Sequence, residues 1–496
     1  MKIAGLDIGT TGCKLTVFDG EGRYLDRAYC DYPVTRGKSE HEVDASAIRQ
    51  GVLGVIRAMS EKHPDISGIG ITSFGETFVL TDEAGEPLLH AMLYTDARGK
   101  NECAELVSKL GEREIARISG LRPHEMYSIS KIMWVKSNRP DVYEKVRHIF
   151  LIADYIVFLL TGKAQIDYQL ATRTMAFDIR KLTWSRAILE AAGVDAPLLS
   201  KPVPAGTAAG KIKPEVAEKT GLSPETVIVT ACHDQVAAAV GSGVFDTVSA
   251  VDGAGTVECI TPVFDGIPES GAMFDGYYSI IPYVIPGKYV CYAFTYTGGA
   301  LVQWCADTLA KKEKDTAREK GVSVYALLEE PRDREGPTGL LVLPHFAGAA
   351  TPYMDTGSKG AIIGLTAANT VSDIYLACLE GVAYEMRLNM EKLAGAGIRF
   401  GALRATGGGA NSKLWMQMKA DILNIPIVTL SAVDAGAAGC AMLTGIAVGC
   451  FRDLDDAARR MVRERDAFYP RKEQHEQFMK VYERYRRLYD AVRPLV

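Results

Sequence analysis

The sequence predicts an α/β protein built from two domains, and three observations support this. The chain of 496 residues is longer than one domain usually is. Short apolar runs typical of strands alternate with helical patterns along the chain. A pattern of strand, aspartate, Gly-Thr turn and second strand near the N-terminus is loosely repeated after residue 245. We therefore expect an N-terminal domain over residues 1–245 and a C-terminal domain over residues 246–496.

Bulk composition restricts the function classes. Hydrophobic residues make up 47% of the chain and charged residues 24%, which is ordinary for a globular protein. A net charge of −5 gives no electrostatic basis for binding nucleic acid or an anionic membrane. No apolar run is long enough to span a bilayer, and no N-terminal targeting signal precedes the first strand.

Cysteine usage indicates the compartment. The 10 cysteines show no paired CxxC spacing, which argues against a zinc site and for reduced thiols. We expect Cys13, Cys232 and Cys378 to be small buried hydrophobes, because each lies in an apolar or Gly-rich segment. The predicted location is the cytoplasm.

The opening stretch "GLDIGTTGCKLTVFD" predicts a hairpin with a polar tip. Ile3–Ile8 is the first strand, Lys14–Phe18 the second, and Gly9–Gly12 the turn between them. One interpretation is an ordinary turn, in which Gly and Thr only satisfy the geometry. The other is a phosphate clamp of backbone N–H and Thr hydroxyl donors, with Asp7 facing a metal ion or its waters. A P-loop is excluded because no Gly-Lys-Ser/Thr opens a helix here.

The rest of the first half alternates strands and helices. "GIGITSFGETFVLTD" predicts strand, turn and strand, and "MLYTDAR" predicts a strand before the helix "RGKNECAELVSKLG". "SKIMWVKSNRP" predicts a helix that ends at Pro140. "TVIVTACHDQVAAAVGSG" predicts a short strand, a polar corner and an Ala-rich helix. In that corner Asp234 is either a helix cap or a catalytic base, whereas His233 is expected to be a hydrogen-bonded core or rim histidine.

The second half starts with the repeated pattern "TVSAVDGAGTVECITPVF". "GLLVLPHFAG" predicts a strand and "SDIYLACLEGVAYEMRLNMEKLAG" a long amphipathic helix. "ALRATGGGANSKLWMQMKADIL" predicts a strand, a Gly-rich turn and a helix. Pro331–Gly339 is predicted to be a polar surface loop. Near the C-terminus an apolar stripe at helical spacing predicts core packing; its members are Phe478, Val481, Tyr485, Leu488 and Val492.

Three Gly-rich turns favour a nucleotide cleft. They are Gly9–Gly12, Gly253–Thr256 and Gly407–Ala410, each beside an apolar strand. The third turn precedes a helix, whose N-terminus could hold a phosphate or approach an adenosine. It lacks the GxGxxG spacing and a positioned acidic partner, which argues against a dinucleotide fold.

With these motifs in this order, nearly the whole chain resembles the FGGY family of ATP-dependent carbohydrate kinases, which includes xylulokinases, fuculokinases and glycerol kinases. "GLDIGTTG" resembles the family's first phosphate loop and "HDQ" its catalytic Asp-Gln. "MYSISKIMWVKSN" fits the first family signature except at Ser137. "GAIIGLTAANTVSDIYLACLE" fits the second except at Cys378. "GAGT", "TGGALVQW" and "GGGANSKLWMQMKAD" match the nucleotide-binding segments.

The resemblance implies two ribonuclease-H-like domains, as in actin- and hexokinase-like ATPases, with ATP bound between them. The N-terminal domain would carry the sugar site and first phosphate loop, and the C-terminal domain the nucleotide. Asp7 would help to hold Mg²⁺, and Asp234 would take the proton of the attacking sugar hydroxyl. Nucleotide or phosphate contacts are expected from Thr10, Thr11, Lys14, Gly255, Thr256, Gly299, Gln303, Gly408, Gly409 and Ser412. The helix around Lys131 and Trp134 is expected to pack behind the sugar site.

The segment "TSFGETFVL" bears on the substrate. Xylulokinases usually carry Gln-Met-His there and glycerol kinases Arg-Glu, whereas this chain has Phe74, Gly75 and Glu76. The Phe-Gly pair more closely resembles the deoxyketose kinases, the fuculokinases and rhamnulokinases. We expect a linear ketose, either a pentulose such as xylulose or a deoxyketohexose such as fuculose. Its contacts would come from Glu76, Asp96, Tyr127, Asp234 and Gln235.

Two alternatives stay open: a glycerol or polyol kinase, and a non-kinase actin-like ATPase. A sugar-binding transcriptional regulator would need an added DNA-binding module, for which the predicted N-terminus has no room. The expected partner is a small-molecule sugar, with no nucleic acid and no membrane, and a homodimer is the candidate oligomeric state.

Overall fold

The computed structural model describes residues 1–37, 40–330, 336–431 and 434–496. The predicted surface loop therefore lies partly outside the described residues, at 331–335. The chain divides into two compact units. The first consists of Met1–Phe245, Ser279–Val290 and Ala432–Val462, and the second of Asp246–Tyr278, Cys291–Ser431 and Arg463–Val496. The expected domain boundary after residue 245 stays a prediction.

The strands, numbered in chain order, are β1 Lys2–Ile8, β2 Gly12–Asp19, β3 Tyr24–Asp31, β4 Val34–Arg36, β5 His41–Val43, β6 Ile66–Ser73, β7 Phe78–Thr81, β8 Ala91–Met92, β9 His148–Leu151, β10 Gln165–Asp167, β11 Phe177–Asp178, β12 Thr183–Trp184, β13 Lys201–Val203, β14 Thr207–Lys211, β15 Val227–His233, β16 Ser249–Ala254, β17 Glu258–Asp265, β18 Ile281–Pro282, β19 Lys288–Val290, β20 Ala293–Thr295, β21 Leu341–Leu343, β22 Ala361–Ile363, β23 Ala402–Thr406, β24 Ile427–Leu430 and β25 Glu464–Phe468.

The α-helices are α1 Ala45–Lys62, α2 Lys100–Leu110, α3 Glu112–Ser119, α4 Ser128–Asn138, α5 Pro140–Tyr143, α6 Ile152–Thr161, α7 Tyr168–Arg173, α8 Arg186–Ala192, α9 Pro214–Thr220, α10 Asp234–Gly241, α11 Ala272–Asp275, α12 Gly299–Thr308, α13 Lys311–Lys320, α14 Val324–Leu328, α15 Val371–Gly395, α16 Lys413–Leu423, α17 Ala435–Ala447, α18 Leu454–Met461, α19 Lys472–Tyr485 and α20 Leu488–Val492. Short 3₁₀ turns lie at Ala196–Leu198, Gly408–Asn411 and Arg493–Leu495.

The first unit is built on a six-stranded sheet in the order β14-β15-β6-β1-β2-β3. The predicted hairpin is confirmed, because β1 and β2 pair antiparallel with Asp7 opposite Lys14. Strands β6 and β15 run parallel to β1, so their carboxyl ends lie at the same sheet edge as Asp7. The near-continuous apolar sequence of these strands fits central strands that are covered on both faces.

Helices α10 and α17 cross on one face of this sheet at small residues. A Cβ on Gly241 would overlap the carbonyl oxygen of Ala435, and a Cβ on Gly439 would overlap that of Ala237. The two helix backbones therefore approach more closely than any residue with a Cβ would permit. Gly5 of β1 receives α17 in the same way, against the carbonyl of Ala437. These contacts hold the N-terminal part of α17 against both β1 and α10.

The second unit has its own sheet, in which β17-β16-β23-β24-β25 are successive neighbours and β20 pairs with β17. As predicted from the repeated pattern, β16 and β17 form an antiparallel hairpin and β23 lies parallel to β16. The long helix α15 is the buried centre of this unit and begins with a capping box between Thr370 and Asp373.

The predicted strand "MLYTDAR" is wrong beyond Ala91–Met92, because the N–H of Asp96 bonds the carbonyl of Leu93 and closes a turn. The C-terminal apolar stripe is confirmed as core, since all its members are buried, but it is shared between α19 and α20. Within the described ranges, no helix combines the length and apolar character needed to cross a bilayer.

Candidate active site

The turn between β1 and β2 is closed by its own backbone. The N–H of Gly9 donates to the carbonyl of Gly12 at 2.9 Å, and the hydroxyl of Tyr32 donates to the carbonyl of Gly9. Thr11 at the tip is exposed, and Thr10 is partly exposed. Backbone and hydroxyl donors at such an open tip are suited to an anion.

Beside this turn one ammonium joins two carboxylates. The Nζ of Lys14 lies 3.0 Å from Oδ2 of Asp7 and 2.5 Å from Oδ2 of Asp434. Burial raises the pKa of Asp7; the charge of Lys14 opposes this and that of Asp434 adds to it. The pKa of Lys14 is raised because its two carboxylate partners outweigh its burial. The cluster carries one more negative than positive charge when all three groups are ionised.

Helix α17 positions Asp434, its N-cap residue, beside Lys14. Its side chain caps the helix by accepting from the N–H of Ala437 at 3.1 Å, and a Cβ on Gly436 would lie 3.2 Å from Oδ2 of Asp7. The sequence analysis missed this residue. The available signal was an aspartate before the small-residue run "DAGAAGCAML", which is typical of an N-cap.

Asp234 is the first residue of α10, directly after the carboxyl end of β15. The helix cap is His233, whose side chain makes no capping bond, and Oδ1 of Asp234 accepts from the N–H of Gln235 at 2.6 Å. Its side chain remains 29% exposed. Burial, then the charge of Asp7, raises the pKa of Asp234 to about 8. A carboxyl group tuned toward neutral pH at a helix start is suited to proton transfer.

His233 fits the expected buried histidine. It is 5% exposed, and its Nε2 lies 3.3 Å from Oδ1 of Asp234. Burial, then the charge of Arg173, holds the pKa of His233 well below its usual value. The imidazole is therefore neutral at neutral pH.

Glu76 is buried in the loop after β6 and adopts a positive φ of 64°. Both Nε and Nη2 of Arg173 donate to its Oε1, the former at 2.6 Å. The hydroxyl of Ser128 donates to the carbonyl of Glu76 at 2.6 Å. Two charge-assisted bonds and one neutral bond therefore hold the strained residue in place.

Arg173 links this loop to the Asp234 corner. A Cβ on Gly75 would lie 2.9 Å from Cγ of Arg173 and 3.2 Å from Cδ2 of His233, so the three residues are packed together. The guanidinium lies 5.3 Å from the ring centroid of the buried Tyr127. The sequence analysis missed Arg173, which comes from α7 and carries no motif of its own.

Tyr94 is an exposed aromatic residue that interacts electrostatically with Glu76 and Asp234. It is 39% exposed, and its pKa is raised by burial of the phenol and by the charges of Glu76 and Asp234, against Arg36. The sequence analysis did not identify Tyr94 as a site residue. Its exposed ring beside two carboxylates gives a small polar molecule an apolar surface to lie on.

Asp96 is buried, and both of its carboxylate oxygens already accept hydrogen bonds from within the protein. It accepts from the N–H of His41 at 2.8 Å and from the guanidinium of Arg98 at 2.6 and 2.8 Å. Although burial acts to raise the pKa of Asp96, these hydrogen bonds lower it. Its predicted contact with substrate stays a prediction, and its visible partners are within the protein. Behind it the buried Lys131 donates to the carbonyl of Glu125, and Arg98 lies over the ring of Trp134.

The second unit brings its two Gly-rich turns together. A Cβ on Gly407 would lie 2.6 Å from the carbonyl oxygen of Ala254, and one on Gly299 would lie 2.6 Å from that of Gly255. The N–H of Gly298 donates to the carbonyl of Thr256 at 3.0 Å. The predicted nucleotide residues of this unit therefore surround one patch of backbone.

The remaining predicted nucleotide residues border the same elements. Ser412 caps α16 through the N–H of Trp415 at 3.1 Å and also donates to Glu329 at 3.0 Å. Gly408 and Gln303 are exposed, the latter on α12. Gly255, Gly407 and Gly408 carry no side chain, so a flat ring or a phosphate could approach their backbone closely.

Comparison with known proteins is consistent with this arrangement. The model of the N-terminal domain of the FGGY family of carbohydrate kinases matches residues 2–241, and that of the C-terminal domain matches residues 265–448. The chain is 26% identical to the xylulose kinase of Bacillus subtilis over 500 residues, covering 99% of this chain and 97% of the relative. It is 31% identical to the glycerol kinase of Halorhodospira halophila over 468 residues, covering 90% and 88%.

A solved structure supports the fold. The crystal structure of a "xyloylose kinase" from Brucella ovis superposes with a TM-score of 0.88 at 25% identity and covers 100% of both chains. The expected α/β fold of the two-domain sugar kinases is thereby confirmed. With both family models matched, the chain belongs to the FGGY family of carbohydrate kinases and is an ATP-dependent sugar kinase.

Proposed function

We propose that this enzyme transfers the γ-phosphate of ATP to a hydroxyl of a linear ketose with five or six carbons. The observation that carries this proposal is the buried Glu76–Arg173 pair packed against the Asp234 corner. Carboxylate, guanidinium and phenol groups there offer both acceptors and donors. A site built from such groups favours a substrate with several hydroxyls and penalises one that leaves them unpaired.

In the proposed mechanism Asp234 is the general base. Its carboxylate takes the proton of the attacking hydroxyl while the sugar oxygen bonds to the γ-phosphorus and the bond to ADP breaks. Phosphoryl transfer depends mainly on positioning and charge stabilisation. Thr10, Thr11 and Lys14 would line the transferred phosphate, and the second unit would hold the nucleotide through its Gly-rich turns.

Mg²⁺ fits the carboxylates of the first unit. Asp7 and Asp434 share one ammonium, and Mg²⁺ in kinase sites is commonly bound by one or two carboxylates together with substrate phosphates. Asp7, joined by Asp434, would hold the ion, which would supply charge neutralisation at the phosphates. A cytoplasmic location and a homodimer remain part of the proposal.

A second candidate is a glycerol or polyol kinase. The sequence has Gly75 where glycerol kinases carry arginine, and this favoured a ketose. The structure nevertheless supplies a guanidinium to Glu76, from Arg173. An Arg–Glu pair is therefore present, and a relative of 31% identity is a glycerol kinase.

The test is kcat/KM for xylulose, ribulose, fuculose, rhamnulose and glycerol under one condition with saturating ATP. We expect a ketose to give the highest value and glycerol a much lower one. If glycerol gives the highest value, the second candidate replaces the first. Nucleotide hydrolysis that no sugar accelerates would contradict both.

A further inference from the structure

A buried cluster of three charged groups lies in the second unit. The Nζ of Lys419 is 2.8 Å from Oδ2 of Asp252 and also contacts Oε1 of Glu258. All three side chains are at most 1% exposed. The ammonium also lies 4.5 Å from the ring centroid of Trp415, which covers it.

The three residues come from the elements that form the two Gly-rich turns. Asp252 lies on β16 just before the turn Gly253–Thr256, and Glu258 is the first residue of β17 just after it. Lys419 lies on α16, the helix that follows the turn Gly407–Ala410. The ammonium of Lys419 therefore joins the residues at both ends of the turn 253–256 to α16, the helix that follows the turn 407–410.

The cluster is costly to bury. Two carboxylates face one ammonium, and Oδ1 of Asp252 and Oε2 of Glu258 have no hydrogen-bond partner among the described residues. Burial, then the charge of Asp252, raises the pKa of Glu258 well above its usual value, against Lys419. Replacing such buried ionic groups by apolar ones is often neutral or stabilising, so stability alone gives little reason for their presence.

Close packing between the two turns makes their relative position sensitive to any shift of α16. A Cβ on Gly409 would lie 2.9 Å from the Cβ of Ala254 and 2.8 Å from the ring of Trp415. Trp415 is the same ring that covers Lys419. A shift of α16 would therefore move the second turn against the first and change the backbone patch that both surround.

We propose that Lys419 is a positioning residue for the nucleotide, which holds the turn 253–256 and the turn 407–410 in register through Asp252 and Glu258. This inference rests on the proposed function, because it takes these turns as the nucleotide contacts. Lys419 itself touches no substrate. Misplacement by a fraction of an ångström to about 1 Å is enough to weaken a positioned contact strongly.

The test compares Lys419→Met with Lys413→Met. Both change a lysine on α16, but Lys413 is 78% exposed. ATP affinity is measured by calorimetry without sugar, and KM is measured for each substrate. We expect Lys419→Met to weaken ATP binding about tenfold or more, with the KM for sugar changed less than twofold. Lys413→Met should match the wild type in every measurement.

A second variant separates positioning from folding. Lys419→Met combined with Asp252→Asn and Glu258→Gln removes every charge of the cluster while keeping its volume. We expect this triple variant to recover thermal stability but to keep the weakened ATP affinity, because no ion pair then joins α16 to the first turn. If Lys419→Met does not fold, the ATP affinity of the triple variant alone tests whether Lys419 positions the two turns.

Three outcomes would overturn the inference. In the first, the wild type binds ATP and Lys419→Met, or the triple variant in its place, binds it equally well. In the second, the triple variant recovers stability and ATP affinity together, which indicates a structural role only. In the third, the wild type binds no ATP, which would overturn the nucleotide assignment of the turns as well.

Discussion

The guanidinium of Arg173 holds the carboxylate of Glu76 through two hydrogen bonds inside the first unit, where both side chains are less than 10% exposed. Glu76 has a left-handed backbone conformation, which a residue other than glycine adopts only when its surroundings impose it. The pair therefore fixes both the charge and the conformation of the loop that is proposed to face the sugar.

We expect Arg173→Met to lower the free energy of unfolding by about 3 kcal/mol, since it leaves the Glu76 carboxylate buried without its cation. Adding Glu76→Gln should recover most of this stability because no unpaired charge remains. Sugar kcat/KM should stay low in both variants. Chemical denaturation and steady-state kinetics measure these quantities.

The matched control is a surface pair of the same chemistry. The Nε of Arg186 lies 2.6 Å from Oε1 of Glu190, but the two side chains are 90% and 62% exposed. Arg186→Met should therefore change the free energy of unfolding little. If the Arg173→Met, Glu76→Gln protein regains normal sugar turnover, the pair serves folding alone.

Local signals in the sequence were sufficient to predict the strands, turns and helices that carry the site. The hairpin around Asp7 and the strand–helix corner at Asp234 follow from apolar runs that end at Gly or at a polar residue. Such signals lie within a few neighbouring residues, so they could be read without any knowledge of the tertiary structure.

What the sequence did not predict depends on long-range packing. Arg173 reaches Glu76 across 97 positions of the chain, and Asp434 reaches Lys14 only because glycines let α17 approach β1. Neither residue has a spacing that marks it. The failed strand at Asp96 has a similar cause, since its side chain binds the distant backbone of His41.

Removing the proposed base should abolish catalysis while leaving nucleotide binding intact. We expect Asp234→Asn to lower kcat about a hundredfold or more, because general-base loss typically costs this much. ATP affinity, measured by calorimetry, should stay within a few-fold of the wild type. Asp455→Asn is the control, because Asp455 also lies in the first turn of a helix but is exposed. Near-normal turnover in Asp234→Asn would return this residue to a purely structural role.

The rate should depend on pH in the direction set by Asp234. Its pKa is raised to about 8 by burial and by the charge of Asp7, and only the deprotonated form can accept the proton. Sugar kcat/KM, which reports the free enzyme, should therefore rise as the pH increases through about 8. A profile from about pH 5 to about pH 10 at saturating Mg²⁺ and ATP measures this dependence. A profile that is flat over this range would mean that the pKa of the carboxyl group is not perturbed in the working enzyme.

The last prediction concerns Asp434, which the sequence analysis did not identify. With Asp7 it places a second carboxylate on Lys14, and Mg²⁺ in kinase sites commonly uses one or two carboxylates. We expect Asp434→Asn to raise the Mg²⁺ concentration for half-maximal activity about tenfold, which corresponds to about 1.4 kcal/mol. Binding of Mn²⁺ in the presence of ATP, followed by electron paramagnetic resonance, should weaken in parallel. Asp453→Asn is the matched control, because Asp453 also caps a helix through its side chain, and Asn caps a helix about as well as Asp, so both variants keep their caps and lose only the charge. Equal metal dependence in the two variants would leave Asp434 with the role of a cap.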